Sequence, residues 1–128
     1  MIIDTELRLL KEMQKHPYLV IAVDFDNTVY DYHKQGLDLE HIKRVVAQCH
    51  GLGHEVFAFT CNQDTDFVKD FFEKEMNIPD IQINTNSLDH LYPGRKPFFN
   101  VLLDDRAGLH SALADLQAAL AFYHYGKL

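Results

Sequence analysis

The stretch Tyr18-Leu19-Val20-Ile21-Ala22-Val23-Asp24-Phe25-Asp26-Asn27-Thr28 decides how this chain folds. Its apolar half, rich in Val and Ile, reads as a strand covered on both faces, the habit of parallel sheets. Asp24 and Asp26 then leave its carboxyl end, the edge at which open parallel sheets bind ligands. Alternation along a strand sends both acids to one side and Phe25 to the other. Two neighbouring carboxylates repel each other unless a cation joins them or one keeps a proton. The pair therefore predicts a Mg2+ site, an acid/base pair, or both.

Outward from this stretch, strands and helices alternate. Residues 4–16 read as an amphipathic helix, with Leu7, Leu10 and Met13 on one face, Asp4 as cap and Pro17 as stop. Residues 29–37 have no clean period and read as a loop or short hairpin over the strand end. Asp38 is expected to cap a helix through Leu39, Ile42, Val46 and Cys49, closing at Gly51 or Gly53. Glu55–Phe59 reads as a second strand ending in Thr60. A helix from Asp64 presents Phe67, Val68, Phe71, Phe72 and Met76 as core. Residues 81–84 read as a short third strand and Val101–Leu103 as a fourth, ending in Asp104 and Asp105. Leu109, Leu113, Leu116 and Leu120 form the stripe of a last helix. The pattern predicts an α/β fold: a parallel sheet in a three-layer α/β/α, Rossmann-like arrangement.

Composition sets the frame. The 128 residues, 47% hydrophobic and 24% charged, suit one globular domain with a real core. A net charge of −7 disfavours nucleic-acid or anionic-membrane binding, which want a basic face. Cys49 and Cys61 make neither a disulfide framework nor a metal-ligand pattern. No secretory signal and no segment of membrane-spanning length is visible, so a cytoplasmic location is expected.

Parallel strands bring their carboxyl ends to one edge, which would gather Asp24, Asp26, Thr60 and Asp104-Asp105, with Lys96 just ahead of the fourth strand. Hard oxygen ligands, a hydroxyl and a fixed cation are what a phosphoryl group in transfer needs, since its catalysis is mostly positioning and charge stabilisation.

In order and strand context, Asp24-Phe25-Asp26-Asn27-Thr28, Thr60, Lys96 and Asp104-Asp105 resemble the four motifs of the haloacid dehalogenase superfamily. The resemblance runs from about residue 18 to 122, and the segment Lys96–Ala107 is most similar to small capless hydrolases of bacteria and phages. It implies a single domain over residues 1–128, with residues 1–17 as an N-terminal helical extension and no cap. It implies Asp24 as the nucleophile forming an aspartyl-phosphate, and Asp26 as the general acid. Thr60 and Lys96 would hold the phosphoryl oxygens, with Cys61 and Asn62 beside them. Mg2+ would sit between Asp24, the Asp26 carbonyl and the Asp104-Asp105 pair. Because adjacent strand residues point to opposite sides, Asp105 is favoured as the direct ligand and Asp104 as its neighbour near Lys96. Mg2+ would hold Asp24 ionised, while Asp26, beside another carboxylate, would lean toward protonation.

Two departures from the pattern stand out. Asn62 occupies a position where related hydrolases often carry Arg, and Asn100 one where they often carry Asp. Bland readings compete at every other position. Cys61 reads as a buried small hydrophobe, and the histidines, among them His90, His110 and His124, as solvated or core residues. Tyr30, Tyr32 and His33 are candidates for touching substrate. The expected activity is a Mg2+-dependent phosphomonoesterase acting on a small phosphorylated metabolite, with no membrane partner and scope for a homo-oligomer to wall an open site. The alternatives are a phosphatase of nucleic-acid or protein phosphate ends, and a receiver-like phospho-acceptor module without turnover.

Overall fold

Strand β1 (Val20–Val23) lies at the centre of a three-stranded parallel sheet of order β2-β1-β3, with β2 at Glu55–Ala58 and β3 at Val101–Leu103. The computed structural model describes residues 4–88, 91 and 97–126. Four helices complete the order: α1 (Asp4–Lys15), α2 (Glu40–Gly51), α3 (Thr65–Met76) and α4 (Leu109–Tyr125). Every residue of β1 is at most 1% exposed, as its unbroken apolar run requires. Its register is Ile21 opposite both Val56 and Val101, and Val23 opposite both Ala58 and Leu103. The fold is α/β with an open parallel sheet.

The alternating side chains sort into two clusters. Ile21, Val23, Phe25, Val56, Ala58, Val101 and Leu103 share one core with side chains from all four helices. Val20, Ala22 and Phe57, on the reverse face, pack instead with Tyr18, Phe59, Leu88, Phe98, Phe99 and Leu102. Among the described residues, the expected third layer is therefore aromatic loop and not helix. The return from the sheet edge to β3 carries apolar rings but no helical period.

The expected strand at 81–84 shrinks to a single bridge between Ala58 and Ile83. Asp80 and Asn84 both have positive φ, 54° and 57°, which bends the chain out of the extended region on either side. Two bonds survive, Ala58 N to the Gln82 carbonyl at 2.9 Å and Asn84 N to the Ala58 carbonyl at 2.7 Å.

The helices follow their stripes with small shifts. In α1 the buried residues are Leu9, Leu10 and Met13, while Leu7 is 36% exposed, and the helix packs along α4. Helix α2 begins one residue past Leu39, with the Asp38 carboxylate accepting from Glu40 N at 3.2 Å. Gly53 after it has φ +91°, a turn that suits glycine. Asp64 caps α3 by accepting from Phe67 N, and Asn77 closes it in the left-handed region. Val68, Phe72 and Met76 are its buried face, whereas Phe67 is 38% exposed at the rim. The α4 leucines at 109, 113, 116 and 120 are all buried.

Two side chains lock the foot of the sheet. Asn100 accepts from Val20 N through Oδ1 at 2.7 Å and donates its own N–H to the Val20 carbonyl at 2.8 Å. His54, 3% exposed, accepts from Leu19 N through Nδ1 at 2.9 Å, and its Nε2 lies 2.9 Å from Nε2 of His124. An Nδ1 that accepts carries no proton, so Nε2 of His54 donates and Nε2 of His124 accepts. The His54 ring is neutral in this arrangement. Among the described residues, no helix is long and apolar enough to cross a membrane.

Candidate active site

Past Val23 the chain stays in register for one more residue, and Asp24 N donates to the Leu103 carbonyl at 2.9 Å. Phe25 then turns into the core, fully buried, while Asp24 and Asp26 both line a cleft of about 460 Å³ at the carboxyl edge of the sheet. The strand alternation expected of these three residues is what the structure has. The bend that follows is tight: Thr28, Val29 and Tyr30 all direct their N–H to the Phe25 carbonyl, at 3.1–3.3 Å. Asn27 takes φ +63° to allow it, and asparagine tolerates that region better than most residues.

Strand β3 delivers the other acids. It ends at Leu103, so Asp104 and Asp105 lie beyond the pleat and strand alternation no longer separates them. Asp24, Asp104 and Asp105 each offer one carboxylate oxygen, all within 4.8 Å of one another. Asp104 and Asp105 thus both bring an oxygen to the cluster, Asp105 being the more exposed of the two. Asp104 Oδ1 also accepts from Arg106 N at 2.9 Å, a turn that folds the chain back toward α4.

Thr28 joins the two acid-bearing segments and is completely buried. Its hydroxyl oxygen accepts from Asp105 N at 3.0 Å, and its single proton faces Asp24 Oδ2 at 3.0 Å and Asp105 Oδ1 at 3.2 Å. One proton cannot serve two carboxylates, so the trio stays one donor short. Asp24 shows the consequence. Burial first, then the charge of Asp104, pushes its carboxyl from 3.8 up to about 7. Asp105 adds to the rise through a hydrogen bond and its charge, and the Thr28 hydroxyl opposes it.

This donor set fits a hard divalent cation. Three clustered carboxylate oxygens are magnesium-like ligands, and a positive charge would relieve the repulsion that raises Asp24. The carboxylate of Asp26 lies outside that trio. It accepts from Asn62 Nδ2 at 3.2 Å, in the segment that follows β2.

Thr60 and Cys61 line the same cleft, and Asn62 reaches it through Asp26. The Thr60 hydroxyl accepts from Asn62 N at 3.0 Å, leaving its proton to donate elsewhere. Cys61 is exposed, not the buried small hydrophobe its neighbours suggested, because β2 ends at Ala58 and the chain has already left the sheet. Lys96 and Arg95 lie outside the described residues, as does His90. Among the described residues the cation that lines the cleft is Arg106, to which the motif reading assigned no role.

The reading also missed the residues that hold others in place. Asn84 brackets Thr60, with Oδ1 accepting from Thr60 N and Nδ2 donating to the Thr60 carbonyl, both at 2.9 Å. No spacing rule picks out an asparagine 24 residues away, although an Asn ending a strand is a known positive-φ signal. Of the loop aromatics, Tyr32 and His33 line the cleft, whereas Tyr30 stacks on Phe25 with centroids 5.2 Å apart and belongs to the core rim. No protein-family model, curated protein or solved structure matches the chain.

Proposed function

We propose that the chain is a Mg2+-dependent phosphomonoester hydrolase of the capless haloacid dehalogenase type, acting through an aspartyl-phosphate on a small phosphorylated metabolite. One observation carries this reading: Asp24 converges with Asp104 and Asp105 while Asp26, two residues on in the same cleft, accepts from Asn62. The two acids of one motif thus occupy different environments, as a nucleophile and a general acid must.

Asp24 would attack the phosphorus through a carboxylate oxygen as the bond to the leaving oxygen breaks. Asp26 would give that oxygen its proton, so that a neutral alcohol departs. The resulting Asp26 carboxylate would then take a proton from water attacking the acyl-phosphate, which returns Asp24 and releases phosphate. Thr60 has a hydroxyl proton to donate to a phosphoryl oxygen, and Asn62 holds Asp26 toward the same space. Arg106 in the cleft wall offers the positive charge that the transferring group needs, beside the role proposed for Lys96. Mg2+, held by Asp24, Asp104 and Asp105, would neutralise their mutual repulsion and the charge of the phosphoryl group.

The test is release of inorganic phosphate from a panel of phosphomonoesters with Mg2+, with EDTA, and with Asp24→Asn. Many turnovers that need both Mg2+ and Asp24 support the reading. Activity that survives EDTA or Asp24→Asn overturns it, and a single stoichiometric phosphorylation without turnover would favour a receiver-like module.

A further inference from the structure

The cleft wall divides by chemistry. Around Asp24 it is acidic, and toward β2 it is hydroxyl and amide. The rest of the described wall is Asn27, Cys61, Arg106 and two rings, Tyr32 and His33. A phosphoryl group seated at Asp24 fills a small part of about 460 Å³, so the group attached to it must lie along what remains.

Those two rings are presented by a segment that is unusually well tied for a loop. Tyr30 anchors one end, stacked on the fully buried Phe25 and edge-on to Phe67 and Phe71 at 5.0 and 5.5 Å. The Asp31 carboxylate collects the N–H groups of Gln35, Gly36 and Leu37 at 2.8–3.2 Å and knots the other end. Tyr32 N donates to Asn27 Oδ1 at 3.3 Å, fixing the tip to the motif turn itself. Tyr32 and His33 stand edge-to-face, centroids 5.0 Å apart, and Tyr32 keeps 52% of its surface open. A large ring held still and left bare beside a polar site is a stacking surface in search of a flat partner.

We infer that the Tyr32–His33 pair receives the ring of the leaving group, so that the substrate class of the site is nucleoside monophosphates. The inference rests on the phosphomonoesterase reading above. A sugar or glycerol phosphate would instead want several free amides and carboxylates around its hydroxyls, and Asn27 Oδ1 is already engaged with Tyr32 N. A polynucleotide end suits the site less well, since the chain carries a net charge of −7.

The experiment compares kcat/KM for nucleoside 5′-monophosphates, glycerol 3-phosphate and a phosphotyrosine peptide, in the wild-type chain, Tyr32→Phe and Tyr32→Ala. A base–aromatic contact is worth roughly five- to a hundred-fold in affinity. We expect nucleotides to exceed glycerol 3-phosphate by at least about ten-fold, with the ratio kept in Tyr32→Phe and collapsing in Tyr32→Ala. Parity between nucleotides and glycerol 3-phosphate overturns the inference, as does a preference that survives Tyr32→Ala or a peptide that outruns both. In any of those cases hydrolysis of glycerol 3-phosphate that requires Asp24 still upholds the parent reading. No Asp24-dependent hydrolysis of any of the three defeats both.

Discussion

The side-chain amide of Asn84 pairs with the backbone of Thr60 at both of its hydrogen-bonding groups, each bond 2.9 Å long. It occupies the place that a neighbouring strand would fill, one residue beyond the bridge between Ala58 and Ile83. Sheet geometry is thereby extended to Thr60 by a side chain. Asn84→Gly keeps the backbone free to hold φ +57° while deleting the amide. It should raise KM for a phosphomonoester by about ten-fold, with a smaller effect on kcat, and cost about 1–2 kcal/mol of stability. Steady-state kinetics and thermal melts check both.

Asp26→Asn should separate leaving groups. An alkoxide needs a proton as it departs and a nitrophenolate does not, so kcat should fall by about two to four orders of magnitude for alkyl phosphates and much less for nitrophenyl phosphate. Equal losses on both substrates would show that Asp26 acts otherwise than as the acid.

Thr28→Val removes the hydroxyl that Asp24 and Asp105 both face and leaves Asp105 N without its acceptor. Because the site is fully buried, a loss of about 1–3 kcal/mol is expected, together with weaker affinity for divalent cation. Thr28→Ser should retain most of both. Denaturant melts with and without Mg2+ make the comparison.

Stripped of divalent cation, the chain should lose stability as pH rises. Asp24 holds its proton to about pH 7 when folded, whereas the unfolded chain releases it near 3.8. Its contribution is complete below about 3.8 and drains away between 4 and 7. In EDTA the melting temperature of the wild-type chain should therefore fall across that window relative to that of Asp24→Asn, and excess Mg2+ at pH 8 should restore what was lost. A wild-type profile in EDTA identical to that of Asp24→Asn would refute this.

His54 works in the opposite sense. Burial, then the charge of His124, pulls it from 6.5 down to about 4, so the unfolded chain binds a proton first as pH falls. Stability from this site is present above 6.5 and is lost toward 4. A decline of at most roughly 3 kcal/mol is expected, each tenfold change in proton affinity being worth about 1.4 kcal/mol. His54→Asn keeps an acceptor for Leu19 N and cannot titrate, so its acid limb should be flatter in the same melts.

The apolar run at 18–23, the leucine stripe of α4 and the convergence of Asp24, Asp26, Thr60 and Asp104-Asp105 were all legible because each depends on local period or strand order. What escaped depends on contacts across the chain. Asn84 and Asn100 each pair a side chain with a distant backbone, and His54 meets His124 only after α4 has docked. Cys61 was misjudged because its burial hinges on where β2 stops, and an element's last residue is the least certain feature of any pattern. What covers the reverse face of the sheet was not legible for a related reason. Aromatic residues such as Phe98 and Phe99 signal burial, but they do not say whether helix or loop provides it.

Among the described residues the helices cover one face of the sheet, with a consequence for how the molecule breathes. No described helix packs on Val20, Ala22 and Phe57, so detachment of Leu88, Phe98 and Phe99 from them melts no described helix and should open as a unit of its own. Amide protons at Val20 and Asn100, bonded to each other's segment at the foot of the sheet, would then exchange with solvent through this smaller opening. Those at Ile21 and Val23, sealed beneath four helices, would wait for global unfolding. Because that smaller opening leaves Asp24, Asp104 and Asp105 in place, anything that binds the acid cluster should slow exchange at Ile21 and Val23 while leaving Val20 and Asn100 as they were.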